Sequence, residues 1–188
     1  MKKYFILMVV LICAMGVCLA ETRLAEGADS DWYMKILTDE AVTTAYPYRA
    51  FVDINGNGVP VLVLSTTQDS FISAEDRAVV YVYDQGAPKK VLEVGGQGGD
   101  TLYANLDAHT LTHYYRFSGE EHIEVYRAEN GTLALVTKVD CYQPHHAPDA
   151  DNAEPVYLQD GAAITEEAAH ELCALYATDN AISYEPAP

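Results

Sequence analysis

Between residues 78 and 139, turn-forming residues break the sequence at a roughly eight- to twelve-residue spacing, which constrains the fold more than any other feature. Runs rich in Val, Tyr and Thr occupy 78–83, 90–94, 101–105, 110–117, 122–128 and 132–139. Asp84-Gln85-Gly86, Leu106-Asp107-Ala108, Ser118-Gly119-Glu120 and Glu129-Asn130-Gly131 separate them. β-branched and aromatic residues suit a pleated, half-buried surface, and turns this close together leave room only for antiparallel neighbours. Asn130-Gly131 is the strongest hairpin signal, because both residue types tolerate positive φ. The spacing therefore predicts an antiparallel meander.

Elements on either side complete an α+β, mainly β domain spanning 28–185. A short N-terminal helix is predicted over 30–38, with Tyr33, Ile36 and Leu37 on one face and Trp32 as a packing anchor. Pro47 stops helix from continuing into two strands at 48–54 and 59–64, the second apolar on both faces and so interior. A small hairpin is predicted at 156–164, and Thr165 caps a C-terminal helix over 165–177. Its stripe is Ala169, Leu172, Cys173 and Tyr176, with Glu166 and Glu167 favourably placed in the first turn. Residues 181–184 read as a last strand and 185–188 as a tail.

The two early strands flank the loop Asp53-Ile54-Asn55-Gly56-Asn57-Gly58-Val59-Pro60. Asp53, Asn55 and Asn57 stand at alternate positions, where short oxygen-bearing side chains can converge on a hard cation, and the Val59 carbonyl can join them. Leu64 takes the place where a helix-flanked calcium loop has its bidentate Glu, so one carboxylate remains and the expected calcium affinity is weak. The other reading is a metal-free turn whose Asx side chains bond their own backbone. The segment resembles the D-x-D/N-G-D/N-G-x-P-E-L stretch of uncharacterised secreted proteins from Gram-positive anaerobes. Val61 replaces the acid after the proline. The resemblance implies a location and an architecture, and no activity.

Location is also written at the N-terminus. Met1-Lys2-Lys3 is a basic start, residues 4–17 are almost unbroken apolar, and Cys18-Leu19-Ala20 offers small residues at a cleavage site. Residues 1–20 read as a secretory signal and 21–27 as a flexible lead-in, placing the domain outside the cell or on its surface. Lipidation at Cys18 is the alternative and the one route to a membrane, although Val17 is branched where a lipobox has a small residue. Cleavage removes two lysines and no acid, moving the formal charge from −17 to −19. Such a surface repels nucleic acid. It also leaves two cysteines, Cys141 and Cys173, as a candidate disulfide.

Catalytic signatures are sparse. His109, His113 and His122 read as solvent-facing strand histidines, since positions four apart on a strand are roughly 13 Å apart, too far to share one metal ion. His145 and His146 share a loop with Asp149 and Asp151 without any spaced metalloenzyme motif. Residues 95–100, Gly-Gly-Gln-Gly-Gly-Asp, lack the Lys and following helix of a phosphate loop, and read as a mobile wide loop at a binding edge. Glu120-Glu121 sits in a turn, where a solvated surface accounts for it. Tyr81 with Tyr83, and Tyr115 with Phe117, share strand faces that can stack on sugars, present a flat protein-binding surface, or simply stabilise the sheet. The reading is a non-catalytic binding module for a protein or carbohydrate. A hydrolase with a site invisible in sequence and a purely structural domain are the alternatives.

Overall fold

A computed structural model describes residues 31–96, 98–142, 154–177 and 180–188. Within them the chain is α+β and mainly β. Its strands divide between two antiparallel sheets, where the turn spacing alone predicted one meander.

The first sheet contains β1 (Tyr48–Val52), β2 (Val61–Ser65), β4 (Arg77–Asp84), β5 (Ala87–Gly95) and β12 (Glu185–Pro186), in the order β12-β1-β2-β4-β5. The second holds β3 (Phe71–Ile72), β6 (Gly99–Asn105), β7 (Thr110–Phe117), β8 (Glu120–Glu129), β9 (Thr132–Tyr142), β10 (Val156–Gln159) and β11 (Ala162–Ile164), in the order β11-β10-β9-β8-β7-β6-β3. All five residues of β2 are buried, as a strand apolar on both faces requires.

One core joins the sheets. Ala50, Val61, Val63, Val80 and Val82 of the first meet Ile72, Leu102, Ala104 and Leu111 of the second. The outer face of the first sheet is covered by α1 (Asp31–Leu37), whose Tyr33, Ile36 and Leu37 pack on Phe51, Leu62, Leu64 and Val79. The outer face of the second is covered by α3 (Glu166–Tyr176), with Ala169 against Ile123, Val125 and Val139. Thr165 caps α3, its Oγ1 accepting from Ala168 N at 3.2 Å. A further helix, α2 (Glu40–Ala45), was not predicted, although Asp39 caps it by accepting from Ala41 N at 3.0 Å.

Of residues 95–100, read from composition as a wide loop, Gly95, Gly99 and Asp100 belong to strands, and Gln97 lies outside the described residues. Gly95 closes β5 and Gly99 opens β6, so this segment carries the chain from one sheet to the other. A Cβ at Gly95 would stand 2.3 Å from the Asp76 carbonyl, and one at Gly98 would stand 1.9 Å from that of Arg116. The glycines are there because backbones pass too close for side chains. The end of the chain differs from expectation as well. Residues 181–184 contribute a single bridge, Ala181 to Tyr103, with Ile182 and Tyr184 buried in the core. Pairing falls instead to Glu185–Pro186, which lies against Tyr48 and Arg49. The Asn130-Gly131 hairpin has the predicted geometry, with φ of 49° and 69°.

Candidate functional site

Strand β7 alternates its side chains, so Leu111, His113, Tyr115 and Phe117 share the face that meets the first sheet. Leu111 belongs to the core, and beyond it the same face turns polar. Register places Glu124 of β8 opposite His113, His122 opposite Tyr115 and Glu120 opposite Phe117. On β9, Lys138, Asp140 and Tyr142 stand opposite Glu124, His122 and Glu120 in turn. Nine side chains therefore form a three-by-three grid, with Asp100 of β6 extending the middle row next to Tyr115.

The middle of the grid is a stack of rings. Tyr115 lies between His113 and His122, with centroids at 4.8 and 4.5 Å and interplanar angles of 25° and 18°. Tyr142 meets His122 edge-on at 5.9 Å. Each imidazole is held by a buried aspartate: His113 Nε2 lies 2.7 Å from Asp100 Oδ1, and His122 Nδ1 lies 2.6 Å from Asp140 Oδ1. The remaining nitrogens also face acids, His113 Nδ1 at 3.6 Å from Glu124 and His122 Nε2 at 3.3 Å from Glu120. Lys138 Nζ sits 3.2 Å from Asp140 and 4.0 Å from Glu124.

The electrostatics follow from this geometry. Burial, the largest single influence, lowers the His113 pKa, but Asp100 and Glu124 together outweigh it and raise it above its ordinary value. The Glu124 carboxyl is held at about 2, chiefly by its pairing with His113, against the opposing pull of burial and with help from the Tyr126 hydroxyl donating at 2.6 Å. His113 and Glu124 thus favour the ionised pair.

The expectation of solvent-facing strand histidines is overturned at His113 and His122, whereas His109 is exposed as expected. His113 and His122 are buried, each with one ring nitrogen paired to a neighbouring aspartate and its ring stacked on Tyr115. His109 is not on a strand; it occupies a turn with φ of 56° and donates from Nδ1 to the Ile54 carbonyl at 2.8 Å. Sequence reasoning missed the histidine–carboxylate network because Asp100 and Asp140 pair with histidines 13 and 18 residues away. The usable signal was register. A hairpin turning at Ser118-Gly119 puts His122 directly across from Tyr115.

The tyrosines do not form one patch. Tyr81 and Tyr83 pack half-buried at the margin of the cluster beneath α1, while Tyr115 and Phe117 belong to the other sheet. Only the second pair lies on the grid.

The Asp53 loop is closed by its own side chains. Asp53 Oδ1 and Oδ2 accept from Asn57 N at 3.2 Å and Gly58 N at 2.8 Å, and Asn57 Oδ1 accepts from Val59 N at 2.9 Å. Asn55 Nδ2 donates to the Ala128 carbonyl at 2.9 Å, tying the loop to β8. Asn55, Asn57 and Val59 also line a cavity of about 240 Å³ shared with Tyr83, Asn130 and Thr132. Among the described residues, no three His, Cys, Asp or Glu side chains are grouped as a metal site.

A second cavity, of about 230 Å³, lies between β8–β10 and α3 and is lined by Tyr114, Glu121, Cys141, Tyr157, Glu166, His170 and Cys173, among others. Glu121 is engaged by Arg116 Nη2 at 2.8 Å. Burial raises the Cys173 thiol pKa, and Glu121 and Cys141 raise it further, so it stays protonated and weakly nucleophilic. The export segment 1–20 with Cys18, the lead-in 21–27, the Trp32 side chain and the His145-His146 loop lie outside the described residues.

No family model, curated protein or solved structure matches this chain. Among the described residues, no helix is long and apolar enough to cross a membrane.

Proposed function

We propose that this chain is a secreted or cell-surface binding module without catalytic activity, and that it takes a polyhydroxylated ligand, a carbohydrate, on the grid of β7–β9. The observation that carries the reading is the His113–Tyr115–His122 stack, locked on both sides by buried aspartates. Fixed rings and fixed carboxylates lose little freedom on binding, which lowers the entropic cost of association. Carboxylates accept from sugar hydroxyls, Lys138 donates to them, and the exposed Phe117 ring offers an apolar surface at the margin.

Two features favour binding over hydrolysis. Each grid imidazole has both ring nitrogens opposite carboxylates, which leaves neither poised as a base toward a substrate. In the α3 cavity the one acid with a cationic partner, Glu121, is held by Arg116, and the Cys173 thiol is raised rather than activated. The signal-like N-terminus and the resemblance of the Asp53 loop to secreted proteins support the location.

A glycan array probed with the mature protein, followed by a reducing-end assay on the glycans that bind, tests this reading. The expected result is retention of a defined glycan class with no release of reducing ends. Release would establish the hydrolase alternative, and an array without signal would remove carbohydrate as the ligand.

A further inference from the structure

We infer that Cys141 and Cys173 form a reversible disulfide that clasps α3 to the seven-stranded sheet. Cys141 lies near the end of β9 on the outer face it shares with Val139, and Cys173 lies on the stripe of α3 that turns toward that face. Both line the 230 Å³ cavity between sheet and helix, and the structure holds both in the reduced state. The closeness is also electrical, since Cys141 and its cross-strand neighbour Glu121 both act on the Cys173 thiol.

The noncovalent hold on α3 explains why a clasp belongs there. Along its eleven residues only Ala169 is fully buried, and an alanine brings little apolar surface. Leu172, Cys173 and Tyr176 pack only partly buried against the cluster. A cross-link between residues 141 and 173 ties the helix directly to β9 and closes the β10–β11 hairpin inside one covalent loop.

The chemistry balances by exchange with a small-molecule disulfide such as oxidised glutathione. One cysteine thiolate displaces a glutathione thiolate to give a mixed disulfide. The second cysteine, losing its proton to solvent, attacks the protein sulfur of that bond and releases the second glutathione thiolate. Two protein thiols are oxidised and one glutathione disulfide is reduced to two thiols. The clasp is independent of ligand binding on the grid, which lies on the opposite face of the sheet.

The test exposes the folded, reduced mature protein to oxidised glutathione, then unfolds and alkylates it for mass spectrometry. The expected product is about 2 Da lighter, takes up no alkyl group and gives one peptide pair joining Cys141 to Cys173. Two alkyl groups, or glutathione adducts left on either cysteine, would overturn the inference. A second readout compares amide hydrogen exchange before and after oxidation. Exchange in α3 should slow about tenfold or more while β7 is unchanged, and an unaltered α3 would refute the clasp. Cys173→Ser, which can carry only a mixed disulfide at Cys141, should show no such slowing.

Discussion

Leu111 and Phe117 lie on the same face of the same strand, yet Leu111 is fully buried and Phe117 is 47% exposed. Between them His113 is 8% exposed and Tyr115 is half-buried. The inner half of the face is sealed by the opposite sheet, whose Val63, Val80 and Val82 share one core with Leu102, Ala104 and Leu111, and there fit between apolar side chains decides stability. The outer half is filled by charged and aromatic groups that pair and stack with one another within their own sheet. A single strand therefore passes from a core built by packing to a surface built by pairing. The first half fixes the fold, and the second is left with polar groups held rigidly near solvent.

Substitutions along β7 and its partners should separate the two halves. Leu111→Ala removes a fully buried side chain from the shared core and should cost about 3 kcal/mol in urea unfolding, with ligand affinity unchanged in the protein that remains folded. Asp140→Ala leaves buried His122 without its closest partner and should cost about 2 kcal/mol. Unlike Leu111→Ala, it should also weaken binding, because the stack loses its brace. A loss of affinity with Leu111→Ala as large as that with Asp140→Ala would erase the distinction between the halves.

The polar half should also carry a pH signature that the apolar half lacks. Glu124 has a depressed folded pKa, so its stabilisation is complete above the ordinary 4.5 and is lost as pH falls toward about 2. His113 has a raised folded pKa, so its stabilisation is complete below the ordinary 6.5 and is lost as pH rises through the higher folded value. Their joint contribution is greatest between these limits. Urea midpoints measured across pH should peak there for the native chain, and Glu124→Gln should flatten the acidic limb.

Phe117→Ala should change stability by no more than about 0.5 kcal/mol, since the ring is exposed, while reducing affinity for the bound glycan. The smallest effect is expected at the Asp53 loop. Calcium there would have to take the carboxylate from the Asn57 and Gly58 amides, so millimolar calcium should move the melting temperature by less than about 1 °C. A larger rise, reversed by chelator, would assign the loop a cation.

The sequence made the meander legible from Asn130-Gly131 and its fellow turns, because hairpin chemistry is local. It made α3 legible for the same reason, through Thr165 and the Glu166-Glu167 turn. The division into two sheets was hidden, since it depends on where Gly95 and Gly98 let backbones pass. The candidate site was hidden more deeply. Asp100, His113, His122 and Asp140 are individually ordinary residues, and their pairing follows from register across β6–β9, a non-local property. Tyr115 and Phe117 were visible as a shared face, but nothing local set them apart from Tyr81 and Tyr83.

The most direct test of the account is a two-dimensional NMR titration of the native chain with the glycan giving the strongest array signal. The account predicts that shift changes concentrate on β7–β9 at His113, Tyr115, Phe117, His122 and Tyr142, and leave α1 and α3 unmoved. Changes centred on the Asp53 loop or on the cavity beneath α3, with the stack silent, would contradict it.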